Sequence, residues 1–159
     1  MLLVSYNNSA VIITYQILNF TKKEFVEIDL EKLARQARNN AIAPFSNFQV
    51  GAALLTTDGI VFTGCNIENA TFGLTVCAER VALFKAISEG KREFKKITIV
   101  TDSSKLSLPC GACRQLLWEF CGDIEVEIVN LQGGVAFKRV KELLPLPFDK
   151  SNFFEPGDK

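Results

Sequence analysis

From Asp29 onwards the apolar positions alternate between two periods. Leu30, Leu33, Ala34, Ala37 and Ala41 recur at helical spacing, Asp29 stands where a cap belongs, and Pro44 closes the segment, which predicts a helix over 29–40. Phe48–Thr56 and Ile60–Cys65 read as strands around Thr57-Asp58-Gly59, a hairpin signal. Asn66–Phe72 is polar and irregular. Helical spacing returns from Val76 to Glu89 and stops at Gly90. A short apolar strand, Lys96–Thr101, leads into a loop over 102–109, a helix over 110–120 and a strand over 124–131. Gln132-Gly133-Gly134 turns the chain into a last strand, Val135–Lys138, and a short helix over 140–144 precedes a tail rich in Pro and Phe.

The order α β β α β α β β α implies an α/β domain with helices on the faces of a sheet. The opening hairpin makes that sheet mixed. At 159 residues the chain fits one domain with an adequate core. We divide it into an extension over 1–25, a main domain over 26–150 and a tail over 151–159. Residues 1–21 carry no charge, and the run from Ala10 to Leu18 raises the question of a membrane or export segment. The basic n-region of a signal peptide is missing, and Asn7, Asn8, Ser9, Thr14, Gln16 and Asn19 dilute the run. An extra strand, a variable extension, or a translation start further in are the plainer readings, and no membrane association is expected.

Charge and composition narrow the function. Lys and Arg total 18 and Asp and Glu total 18, without the basic excess that grip on a polyphosphate needs, so no nucleic-acid partner is expected. Histidine is absent, which excludes every histidine-based triad and the commonest metal ligand. Acid–base chemistry near neutral pH must come from a tuned carboxylate, lysine, cysteine or tyrosine, or from metal-bound water. Five cysteines, an odd number in a chain with its own core, fit a reducing compartment, here the cytoplasm, and metal binding better than a disulfide framework.

Two motifs carry the chemistry. Cys77-Ala78-Glu79-Arg80 opens one predicted helix, and Pro109-Cys110-Gly111-Ala112-Cys113 opens another. A C-x-x-C pair on a first helical turn offers two thiolates to one zinc ion, and the helix N-terminus favours the ionised thiol. Cys77 supplies a third sulfur. Three ligands leave a fourth position for water, whose pKa zinc lowers, and Glu79 is then the proton carrier. Three thiolates weaken zinc as a Lewis acid, and Arg80 is placed to offset this by donating to a ligand sulfur. Each piece alone reads more plainly: a redox or packed cysteine pair, a chance C-x-E, a solvated arginine. Together they match the three-cysteine form of the zinc nucleobase-deaminase signature.

The segment from Asp29 to Phe148, about three quarters of the chain, resembles the small, homotetrameric, three-cysteine cytidine deaminases of pyrimidine salvage. The likeness runs through Ala43-Pro44-Phe45-Ser46-Asn47-Phe48-Gln49-Val50-Gly51-Ala52-Ala53-Leu54, Gly64-Cys65-Asn66-Ile67-Glu68-Asn69-Ala70, both zinc motifs and Glu142-Leu143-Leu144-Pro145. It implies a three-layer α/β/α fold with a mixed five-stranded sheet. It also implies one Zn2+ per chain on Cys77, Cys110 and Cys113, with Glu79 as catalytic proton shuttle. The implied reaction is hydrolysis of cytidine and 2′-deoxycytidine to uridine and 2′-deoxyuridine plus ammonia, zinc-bound hydroxide attacking C4. In this likeness the Ala78 N–H binds the pyrimidine carbonyl, Phe48 packs near the ring, and Asn66 and Glu68 bind the ribose 3′-hydroxyl. Phe148 reaches a neighbouring subunit's site. Phe72 stands where many relatives carry tyrosine, so a hydroxyl contact there is lost while the aromatic surface is kept.

Other functions stay open on the residues alone. A deaminase of a modified cytosine nucleoside, of the blasticidin S type, has similar zinc motifs but lacks the ribose-binding glutamate that Glu68 matches. Editing of cytosine in a polynucleotide conflicts with the neutral charge. A structural zinc module that recruits Cys65 or Cys121 as fourth ligand leaves Glu79 without a purpose; packed free thiols are the simpler reading for both.

Overall fold

The computed structural model describes residues 5–7, 10–12 and 28–153. Helix formation begins where Asp29 accepts the Lys32 N–H at 2.8 Å, and α1 (Leu30–Arg38) follows with Leu30, Ala34 and Ala37 buried. It ends two residues before the expected point: Asn39 and Asn40 already form the turn, and Ala41 lies outside the helix.

Among the described residues seven strands form one sheet: β1 (Ser5–Asn7), β2 (Ala10–Ile12), β3 (Val50–Thr56), β4 (Val61–Cys65), β5 (Phe94–Thr101), β6 (Glu125–Asn130) and β7 (Val135–Arg139), in the order β1-β2-β4-β3-β5-β6-β7. The strands β3 to β7 are the mixed five-stranded sheet expected from the sequence. Only β5 and β6 run parallel, and the hairpin β3–β4 pairs Ala53 with Thr63. The first two strands extend the sheet beyond β4, where Val11 pairs with Val61, in keeping with the extra-strand reading of the N-terminal extension. The rest of residues 1–27, including 13–18 of the apolar run, and residues 154–159 of the tail lie outside the described residues.

Because side chains alternate along a strand, β3 feeds two layers at once. Ala53 and Leu55 meet Leu30 and Ala34 of α1, with Val61, Val100 and Val129 beside them. Ala52 and Leu54 face the opposite way, towards α2 (Ala78–Ser88) and α3 (Gly111–Cys121), in a larger core with Phe62, Leu83, Ile97, Ile99, Leu117, Val126 and Ile128. The short α4 (Val140–Leu143) adds Val140 and Leu143 to that side. The result is α/β/α. Each fully buried Leu, Ile, Val or Phe side chain among these contributes roughly 1.5–3 kcal/mol.

Two glycines set the helix heights. A Cβ on Gly51 would lie 2.0 Å from the Ala34 carbonyl oxygen and 2.6 Å from the Arg38 nitrogen; one on Gly64 would lie 2.4 Å from the Ala78 oxygen and 2.6 Å from the Ala82 nitrogen. Both neighbours are helix backbone, so any side chain there would lift α1 or α2 off the sheet.

The observed elements depart from the periodicity in instructive places. The helices α2 and α3 start at Ala78 and Gly111, because Cys77 and Cys110 are extended N-cap residues with ψ of 156° and 163°. The strand β5 begins at Phe94, two residues early, since Lys95 and Lys96 keep their charges at or near solvent while their backbones pair. Short 3-10 turns at Phe72–Leu74 and Lys150–Asn152 had no signature in the apolar pattern. No helix among the described residues is long and apolar enough to cross a membrane.

Candidate active site

Both cysteine motifs sit at helix starts that the sheet brings side by side. The Sγ atoms of Cys77, Cys110 and Cys113 all lie within 4.8 Å of one another, and Cys77 and Cys110 are 3.9 Å apart. A tetrahedral ion with bonds of about 2.3 Å needs sulfurs about 3.8 Å apart, so the three donors fit zinc. Cys65 and Cys121 are half-buried free thiols outside the cluster, each pushed up by burial, Cys121 to about 12.

The site stabilises thiolate by several means. The neighbouring Cys113 thiol, opposed by burial and helped by Arg80, pulls Cys77 down to about 5, while the same contact holds Cys113 up. Arg80 Nη2 donates to the Thr75 carbonyl at 2.9 Å and points at Cys77 Sγ at 3.6 Å. Neither N-cap cysteine bonds its own helix start through its side chain, which leaves both sulfurs available.

Glu79 is 5% exposed. Burial, outweighing a backbone hydrogen bond, raises its carboxyl to about 7. A divalent cation beside it acts in the opposite sense. A small cavity of about 190 Å³ runs past Cys77, Ala78, Glu79 and Cys110, with Phe48 and Asn66 in its wall. Two of the three cysteines, the glutamate, a helix N-terminus and an aromatic residue therefore line one cavity.

The family model for the cytidine and deoxycytidylate deaminase zinc-binding region matches residues 27–128. The chain belongs to this family. It is 55% identical to a cytidine deaminase of Halalkalibacterium halodurans over 75% of this chain and 91% of that one. It is 47% identical to one of Sporosarcina psychrophila over 79% and 95% respectively. The crystal structure of cytidine deaminase from Burkholderia pseudomallei superposes with a TM-score of 0.73 at 48% identity, covering 75% of this chain and 96% of that one.

Within this deaminase fold, the residues expected to bind the nucleoside divide by position. Asn66 is buried, and its amide bridges β3 to the segment before it: Oδ1 accepts the Val50 N–H at 2.8 Å and Nδ2 donates to the Phe48 carbonyl at 2.8 Å. Asn66 thus fixes the stretch that carries Phe48. Glu68 does not line the cavity. Its carboxylate accepts the Phe45 N–H at 2.8 Å, the Ser46 N–H at 3.2 Å and the Ser46 hydroxyl, which together hold it below the usual carboxylate range. The loop it grips contains Asn47 in the left-handed region, at φ 55°. Between them Ile67 pairs with both Ile42 and Val76, which ties the ends of α1 and β4 to the residue before Cys77. Phe148 does not reach this chain's own cavity. Its ring is 59% exposed and packs edge-on against Phe153 with centroids 5.2 Å apart, while its carbonyl accepts from Gln115.

Several residues of the site have no motif to announce them. Arg114 donates to the Pro109 carbonyl at 2.7 Å and to the Leu143 carbonyl at 3.0 Å, pinning the approach to Cys110 onto α4. Asn130 reaches the Ser104 carbonyl at 3.3 Å and so anchors the loop that brings Ser107, Leu108 and Pro109 to the cavity. Thr101 and Ile99 form part of the wall. The available signal was topological: ligands of open sheets gather beyond the carboxyl ends of strands, where Thr101 lies.

Proposed function

We propose that this protein catalyses the zinc-dependent hydrolytic deamination of cytidine and 2′-deoxycytidine, giving uridine and 2′-deoxyuridine plus ammonia. The observation that carries the reading is Glu79, a buried carboxylate in the same small cavity as Cys77 and Cys110. Zinc held by Cys77, Cys110 and Cys113 supplies the electrostatic activation of a water nucleophile. Glu79 accepts a proton as water adds to C4 and passes it to N3; it then takes the proton of the new C4 hydroxyl and delivers it to the amino group, which leaves as ammonia as the C4 carbonyl forms. Burial keeps Glu79 ready to hold that proton between steps. The Ala78 N–H, left free by the helix start, binds the pyrimidine carbonyl. Phe48 packs on the ring, held by the Asn66 bridge. Arg80 draws charge from the Cys77 sulfur.

Asn66 and Glu68 bind the ribose hydroxyls in this reading. Support comes from their place in the segment that frames Phe48, and from the acceptor capacity a carboxylate keeps beyond its loop contacts. The protein acts as a homotetramer in the cytoplasm, in pyrimidine salvage, with Phe148 from a neighbouring subunit completing each pocket. An outward ring on a chain whose own cavity does not receive it supports that assembly, and the neutral net charge supports a free nucleoside over nucleic acid. The domain over 26–150 is the catalytic unit. The deciding experiment follows ultraviolet absorbance on cytidine, 2′-deoxycytidine and CMP while zinc is assayed in the same sample. Turnover of both nucleosides with about one zinc per chain, little action on CMP and loss of turnover in Glu79→Gln is expected; a fully active Glu79→Gln overturns the mechanism. Zinc without turnover of any of the three points to a modified nucleoside or a structural site.

A further inference from the structure

Three buried side-chain atoms, Arg38 Nε, Arg80 Nε and Thr101 Oγ1, have no hydrogen-bond partner among the described residues. The two arginines satisfy other nitrogens of the same guanidinium, on Asp102 at 2.8 Å and on the Thr75 carbonyl at 2.9 Å. Thr101 has one polar side-chain atom and no such alternative. The residue is 2% exposed and lines the active-site cavity. Its backbone is fixed on both sides, opposite Val50 in β3 and Asn130 in β6. Its parity is that of Ile97 and Ile99, so the side chain points into the layer that holds Glu79 and the cysteines. An unsatisfied buried hydroxyl costs roughly 1–3 kcal/mol, and valine of the same shape would avoid the cost. Val50 and Ile99 line the same cavity, and an unpartnered hydroxyl on a residue of that wall gains a partner when a polar group of a ligand, or a water it brings, reaches it.

We propose that Thr101 is a positioning residue whose hydroxyl hydrogen-bonds the pyrimidine of the bound nucleoside, directly or through one water. The assignment rests on the nucleoside-deaminase reading of the cavity. The base is the right portion of the ligand because the cavity is small and also contains Glu79, Cys77 and Cys110, so what reaches its wall is the ring that must meet them. Thr101 neither moves the reacting proton nor holds the metal. It sets the ring's orientation against the groups that do.

The test uses the zinc-loaded full chain, with Thr101→Val and Thr101→Ser beside the wild type. Thr101→Val is expected to lose about three- to tenfold in kcat/KM, the worth of one neutral hydrogen bond. The loss should be equal for cytidine and 2′-deoxycytidine, and Thr101→Ser should recover most of it. The thermal midpoint of Thr101→Val without nucleoside should be unchanged or higher, since no bond inside the fold is lost. A kcat/KM within twofold of wild type overturns the proposal, as does a loss confined to cytidine, which would place the contact at the ribose 2′-hydroxyl. A midpoint lowered by about 2–4 °C also overturns it, because that is the mark of a partner within the protein. Should the wild type turn over neither nucleoside, the deaminase reading fails by that result, and the thermal comparison still judges whether Thr101 is bonded inside the fold.

Discussion

On one face of the sheet Gly51 lets α1 settle until its Ala34 carbonyl nearly touches β3; on the other, Gly64 does the same for α2 and β4. The packing device is the same, and the outcomes differ because of where along each helix the contact falls. The helix α1 is held at its middle and end, through Ala34 and Arg38, and its tip finishes in an ion pair with Asp102. It fills its face. The helix α2 is held at its first turn, through Ala78, so its N-terminus is pressed against the sheet with Cys77 and Glu79 on it. Free N–H groups, a sulfur and a carboxylate are then carried inward with the backbone. One face becomes structure and the other chemistry through a shift of contact along the helix.

The sharpest break in this comparison comes from the sulfurs. Cys110→Ala is expected to abolish zinc binding and lower kcat by at least about a thousandfold, checked by metal content and turnover together. Glu79→Gln should retain zinc and lower kcat by about 10²- to 10⁴-fold, which separates the proton carrier from the metal. The two glycines sharpen the contrast itself. Gly64→Ala and Gly51→Ala should each destabilise by roughly 1–3 kcal/mol or more in urea unfolding. Gly64→Ala should also depress kcat in the folded fraction, whereas Gly51→Ala should leave it near wild type. Equal kinetic damage from both would show that the faces are not functionally distinct. The smallest effect is expected at the solvent side of α1, where Glu31→Gln removes the ion pair to Arg35 and costs about 0.3–0.5 kcal/mol with unchanged turnover.

The zinc cluster and Glu79 were legible because short spacing on helix starts leaves a compact mark in the chain. The three-layer fold was legible because the order of helices and strands implies helices on the faces of a sheet, and the resemblance implies α/β/α. Less local features left no such mark. Cys77 and Cys110 proved to be caps and not first helical residues, since cysteine gives no capping signature. Lys95 hid the start of β5, because a long side chain lets a paired backbone keep its charge in water. For Asn66 and Glu68 the resemblance implies only the ribose 3′-hydroxyl contact. The bonds they make to Val50, Phe48, Phe45 and Ser46 depend on chain segments 16 to 23 positions away, a geometry no spacing rule reports. Thr101 is the extreme case. A threonine ending a strand is ordinary in sequence, and only the closed fold reveals that its hydroxyl meets no group of the described residues.

The C-terminal segment is fastened by a bond from the indole of Trp118 to Asp149 at 3.0 Å. The chain contains a single tryptophan. Its fluorescence is therefore a native optical probe of the docking of the segment that carries Phe148 onto α3, and of the core edge against which the indole packs. In a denaturant titration, emission changing ahead of far-ultraviolet dichroism would report the tail leaving while the sheet persists. Asp149, held below its ordinary carboxylate range first by the Ser151 hydroxyl and then by that indole, should keep the probe's environment constant until strongly acidic solution.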